Sequence, residues 1–143
     1  MIRSLKVSDI MWSHIEPVRQ GTLLNQVVKH LLANHVTGLP VVDEARRVVG
    51  FVSEQDCIHS MLVSSYHCEG APTVDDVMFR EPIAVTPDMA IVDLAQQLIK
   101  GKPKVYPVVD HGVLKGIVTR SAILSEMARV GCGIDVPSYA MED

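Results

Sequence analysis

Seven consecutive residues, Gly50-Phe51-Val52-Ser53-Glu54-Gln55-Asp56, carry the clearest chemistry in this chain. A strand ending at Val52 and a helix beginning at Ser53 would aim backbone N–H groups and the positive helix end at one place, an arrangement suited to phosphate. Ser53 adds a hydroxyl donor there. Asp56, one turn further on, is a carboxylate able to accept two hydrogen bonds at once, which is what the neighbouring hydroxyls of a ribose present. The same Ser-to-Asp spacing is also a variant of the capping box, which stabilises a helix end by about 1 kcal/mol with no ligand present. The two roles are compatible.

The phrase returns as Gly116-Ile117-Val118-Thr119-Arg120-Ser121-Ala122. Thr119 keeps the cap and the hydroxyl, whereas Ala122 has no acceptor for a diol. Arg120 offers a guanidinium in the first helical turn, where it would reach a phosphate, although a solvated arginine satisfies the same pattern.

These phrases are parts of a longer repeat. A shift of 67 residues lays VSDIMW (Val7–Trp12) on VDDVMF (Val74–Phe79) and LPVVD (Leu39–Asp43) on YPVVD (Tyr106–Asp110), with one extra turn residue in the first copy before Gly50. Two copies have only each other to cover their apolar faces, so a pseudo-twofold pair is expected. In each copy the periodicity predicts one amphipathic helix, Thr22–His35 or Asp88–Gly101. A β-hairpin follows, Leu39–Asp43 with Arg47–Val52, or Val105–Asp110 with Val113–Val118. A last helix starts at Ser53 or Thr119 and runs to about Leu62 or Arg129. With a short extended piece at Ile15–Val18 or Ile83–Val85, the order is β-α-β-β-α twice, a mixed α/β (α+β) chain. The repeats occupy residues 1–63 and 74–130, joined by a connector at 64–73 and followed by a tail at 131–143.

Composition narrows the function. The 143 residues are 48% hydrophobic, only 4% aromatic, and carry 13 basic against 17 acidic side chains, a net charge of −4. No basic run gathers the potential that a nucleic-acid backbone requires, and stacking platforms are scarce. No apolar stretch approaches the ~20 residues of a membrane helix, and the N-terminus lacks a signal-peptide core, so a cytoplasmic protein without membrane insertion is expected. Cys57, Cys68 and Cys132 form no CxxC pair, which argues against disulfides and a zinc ribbon. Cys57 and His59 stand two apart on a helix, and the neighbouring His67 and Cys68 are no better placed, so no metal site is assigned. No nucleophile-base-acid set and no Gly-rich phosphate loop is present, and no enzyme activity is inferred.

The ordered set V-x-D-h-M, h-P-V-V-D and G-h-V-[ST], written twice at fixed spacing over Val7–Val63 and Val74–Ala128, resembles the cystathionine-β-synthase (CBS) domain. The resemblance implies a tandem pair, or Bateman module, whose small sheets pack together with helices outside and leave two clefts. Such pairs bind adenosine-containing ligands (AMP, ADP, ATP or S-adenosylmethionine) and report occupancy to an effector protein, commonly as homodimers. It assigns Ser53 and Asp56 to ribose and phosphate, and Val18, Gly38, Leu39 and Pro40 to the adenine side, where sheet packing would use the same residues. In the second copy Thr119 and Arg120 remain, and Tyr106 would stack on a base or fill the cleft. One working site per chain is therefore expected. The competing expectation is a ligand-free structural module that dimerises and docks a partner.

Overall fold

A computed structural model describes residues 4–63, 72–101 and 103–132. The expected connector, apart from Pro72 and Thr73, lies outside the described residues, as do His67 and Cys68 and the tail beyond 132. The order is α1 (Val7–Ile10), β1 (Val18–Arg19), α2 (Leu24–Asn34), β2 (Gly38–Val42), β3 (Val48–Ser53), α3 (Glu54–Val63), α4 (Val74–Val77), α5 (Ile91–Leu98), β4 (Val105–Asp110), β5 (Val113–Thr119) and α6 (Arg120–Cys132). The two four-residue helices α1 and α4 were not read from the sequence. Each is a single turn closed by the aspartate of its V-x-D opening, Asp9 in α1 and Asp76 in α4, and one turn is too short to show a period.

The chain forms two compact units, Glu16–Pro82 and Met1–Ile15 with Ile83–Asp143. These boundaries differ from the sequence repeats. The segment that opens each copy closes on the other copy's hairpin, because the outer edge of that hairpin has unpaired backbone groups to offer. Trp12 N–H donates to Ile117 O at 2.7 Å and Ile117 N–H returns a bond to Trp12 O at 2.9 Å. In the other unit Phe79 N–H and Phe51 N–H exchange the corresponding pair at 2.8 and 2.9 Å. The glycine of each phrase permits this approach. A Cβ on Gly116 would sit 2.5 Å from Trp12 O, and one on Gly50 would sit 2.5 Å from Met78 Sδ.

Within the first unit β1 pairs parallel to β2, and β2 antiparallel to β3. The ladder sets Leu39 opposite Val52, Val18 opposite Val41, Pro40 opposite Phe51 and Gly38 opposite Ser53. Side chains alternate between faces, so Leu39, Val41, Val52 and Val18 share one face while Gly38, Pro40, Phe51 and Ser53 share the other. The α2 stripe buries Leu24, Val27 and Leu31, and α2 ends at His35 in the left-handed region, φ 55°. In the second unit β4 and β5 form a two-stranded sheet. Val85 makes a single parallel bridge to Val108 in place of the expected strand at Ile83–Val85. The hairpin turns on His111 and Gly112, both at positive φ, 53° and 84°, as a two-residue turn matching strand twist requires. Its core gathers Val7, Val85, Ile91, Leu94, Tyr106, Val108, Val118 and Ile123. Helix α6 extends to Cys132, past the expected end.

Candidate functional site

The phrase at Gly50–Asp56 folds as strand end and helix start. Ser53 closes β3 opposite Gly38, and α3 begins at Glu54, whose N–H donates to Thr37 O at 2.9 Å. Asp56 Oδ2 accepts two bonds from Ser53, from its N–H and from its hydroxyl, both at 2.9 Å. Asp56 N–H donates back to Ser53 Oγ at 3.1 Å. The capping box is therefore complete. All the acceptor work falls on Oδ2, and Asp56 Oδ1 takes no hydrogen bond among the described residues.

Asp56 also lines a groove of about 600 Å³ with His59, Ser60 and Val63 of α3 and with Pro72, Asp76 and Val77. Asp76 is the counterpart acid of α4, its Oδ2 accepting from Thr73 N–H at 3.1 Å and Thr73 hydroxyl at 3.3 Å. No lysine or arginine among the described residues lines this groove. Asp76 was missed in the sequence, yet Thr73–Asp76 has the same spacing as Ser53–Asp56 and was legible on that ground. Phe51 was missed as well. Its ring covers the place a Cβ on Gly38 would take, with Cε2 only 2.5 Å away, so Gly38 and Phe51 pack as one surface beside Ser53.

The expected adenine-side residues divide between two faces. Gly38 and Pro40 share the face of Ser53, whereas the side chains of Val18 and Leu39 turn to the opposite face, and all four residues are buried. Contiguous strand residues alternate between faces, so they cannot all line one surface.

In the second unit Thr119 Oγ accepts the N–H of Ala122 at 3.1 Å, keeping half of the box. Ala122 is buried, and Arg120 is exposed with its backbone N–H on Lys104 O. Tyr106 was expected to stack on a base or to fill the cleft, and no face of its ring is exposed. Tyr106 stands opposite Val118, on the core face with Val108, and is fully buried in the apolar cluster of its unit. Its hydroxyl finds no partner among the described residues, and burial pushes the phenol above its ordinary value.

Cys57, next to Asp56, is buried. Desolvation, followed by the charges of Asp56 and Glu54, raises its thiol from 9.0 to about 11, so it is held as a thiol and is a poor nucleophile at neutral pH. No three His, Cys, Asp or Glu side chains cluster to hold a metal, and no helix is long and apolar enough to cross a membrane, among the described residues.

The sequence matches the CBS domain family twice, over residues 7–63 and 74–129. It is 26% identical over 113 residues to the uncharacterized protein MJ1225 of Methanocaldococcus jannaschii, covering 79% of this chain but 39% of that protein. The chain thus spans well under half the length of that relative. Among solved structures it resembles CBSX2 of Arabidopsis thaliana in complex with AMP, at TM-score 0.77 and 30% identity, covering 88% of this chain and 98% of the other. It also resembles the CBS domain pair of MJ0100 in complex with 5′-methylthioadenosine and S-adenosylmethionine, at TM-score 0.72 and 25% identity, covering 86% and 99%.

Proposed function

The chain belongs to the CBS domain family, and from that premise we propose that it is a regulatory module binding one adenosine-containing ligand through Asp56. The observation that carries this reading is the asymmetry of the two copies. The first holds a half-buried carboxylate at a groove with Oδ1 open, and the second holds a buried alanine at the same position. An aspartate accepts both hydroxyls of a ribose, while alanine accepts neither. The ligands named for CBSX2 and the MJ0100 pair all contain adenosine, which supports the class. Occupancy is read by an effector protein, and the working form is a homodimer.

A second reading keeps the module ligand-free. It is favoured by the completeness of the Ser53–Asp56 box, which accounts for both residues as a helix cap, and by the exposed Ile58, Leu62 and Val63 on α3. A thermal-shift screen with AMP, ADP, ATP, S-adenosylmethionine and adenosine separates the two, since a ligand that binds the native state raises the melting temperature. The proposal expects a shift of several degrees with at least one ligand at saturation, abolished in Asp56→Ala. A folded chain that ignores all five would contradict it and favour the structural module.

A further inference from the structure

We infer that the turn end of the first unit's sheet carries a second ligand site, separate from the Asp56 groove, which takes a free amino acid by its carboxylate and ammonium groups. This stands apart from the adenosine-ligand reading above.

Two cavities, of about 590 and about 150 Å³, adjoin there and share Arg19, Val42, Asp43 and Glu44, and the smaller also reaches Glu16 and Arg46. All of these residues belong to the unit Glu16–Pro82. The length of β2 separates them from the Asp56 groove, since Ser53 pairs with Gly38 at one end of that strand and the cavities begin at Val42 at the other. Four steps along a strand cover about 13 Å.

Backbone bonds fix the walls. Asp43 Oδ1 accepts the N–H groups of Ala45 and Arg47, both at 2.9 Å, and Asp43 O accepts Arg46 N–H at 3.0 Å. On the β1 side Gln20 N–H donates to Val42 O at 3.0 Å, and Arg19 O accepts the Thr22 hydroxyl at 2.7 Å. The charged ends carried by these walls stay open. The guanidiniums of Arg19 and Arg46 and the carboxylates of Glu16 and Glu44 are exposed and make no ion pair or hydrogen bond among the described residues, although all four line one cavity.

A simple anion would meet the two arginines but also Glu16, Asp43 and Glu44, and a simple cation would meet both arginines. A molecule bearing both signs a few bonds apart meets each charge with its opposite. An arginine fork suits a carboxylate, and an ammonium offers three donors to carboxylates, which only accept. The 150 Å³ cavity has the volume of about five waters, room for the head group of an amino acid, while the wider one receives its side chain. The second copy lacks the set. Ile83 and Thr86 stand where the first copy has Glu16 and Arg19, and the shorter turn pairs Asp110 with His111 at 2.9 Å.

A thermal-shift screen of the full chain with the common L-amino acids and with inorganic phosphate tests this, followed by calorimetry with the strongest amino acid, its N-acetyl form and its methyl ester. At least one amino acid is expected to raise the melting temperature. Removing its ammonium or its carboxylate should weaken it by about tenfold or more, as should Arg19→Gln, Arg46→Gln, or Glu16→Gln combined with Glu44→Gln. Asp56→Ala should leave amino-acid binding unchanged, which keeps this site distinct from the adenosine site. A folded chain that ignores every amino acid would overturn the inference. Phosphate or the N-acetyl form binding as tightly as the amino acid would show an anion site and overturn it, and an equally tight methyl ester would show a cation site and do the same. Full affinity retained in both arginine variants would place the ligand elsewhere and overturn it too.

Discussion

At the scale of single residues, Tyr106 shows how its neighbours decide where a side chain turns. Its type and its place before Pro107 suggest a stacking surface, yet its partner across the hairpin is Val118, a core residue, and the pairing turns the ring inward. Leu39 occupies the equivalent place in the first copy and is equally buried. Tyr106 differs from it by a hydroxyl that has no partner among the described residues. Removing an unpaired buried hydroxyl relieves its desolvation cost, so Tyr106→Phe is expected to raise stability by about 1 kcal/mol in chemical denaturation at neutral pH. The phenol titrates higher in the folded than in the unfolded chain, whose ordinary value is 10.0, so the unfolded state releases its proton first. Wild-type stability therefore falls as pH rises through that value, and Tyr106→Phe should fall less. A variant less stable than wild type at neutral pH would show that the hydroxyl has a partner.

At the scale of elements, the sequence made the helices, hairpins and final helices legible, because stripes at α2 and α5 and β-branched runs at β2 to β5 repeat over enough residues to show a period. It did not make α1 and α4 legible, nor the exchange of leading segments. Nothing in V-x-D-h-M distinguishes a segment that folds onto its own copy from one that bridges the other. The glycines held that information, since Gly116 and Gly50 each lie under an incoming backbone. Their substitutions should differ. At Gly116 the clash is with the Trp12 carbonyl, which cannot move without breaking the bridge, whereas at Gly50 the nearest atom ends the flexible Met78 side chain. Gly116→Ala is expected to cost about 2–3 kcal/mol, and Gly50→Ala about 1 kcal/mol less. Urea denaturation of both variants checks the order, and equal costs would show that the Trp12 bridge gives way without penalty.

At the scale of the molecule, two units of related sequence carry unequal chemistry. Both retain the strand, the helix start and a hydroxyl at Ser53 or Thr119, but one acid is kept and the other is replaced by a buried alanine. The sequence alone made this asymmetry visible. It could not show that the retained acid is already engaged as a cap, because hydrogen-bond partners depend on rotamers that spacing does not specify. A carboxylate with one oxygen anchored and one open serves the fold and a ligand together, and that combination is the centre of the account. Isothermal titration of the full chain with the adenosine ligand giving the largest thermal shift tests it most directly. The account predicts one ligand bound per chain, and none detectable in an Asp56→Ala variant whose unliganded fold is intact. Two equivalent ligands per chain, or full-affinity binding retained in Asp56→Ala, would contradict it.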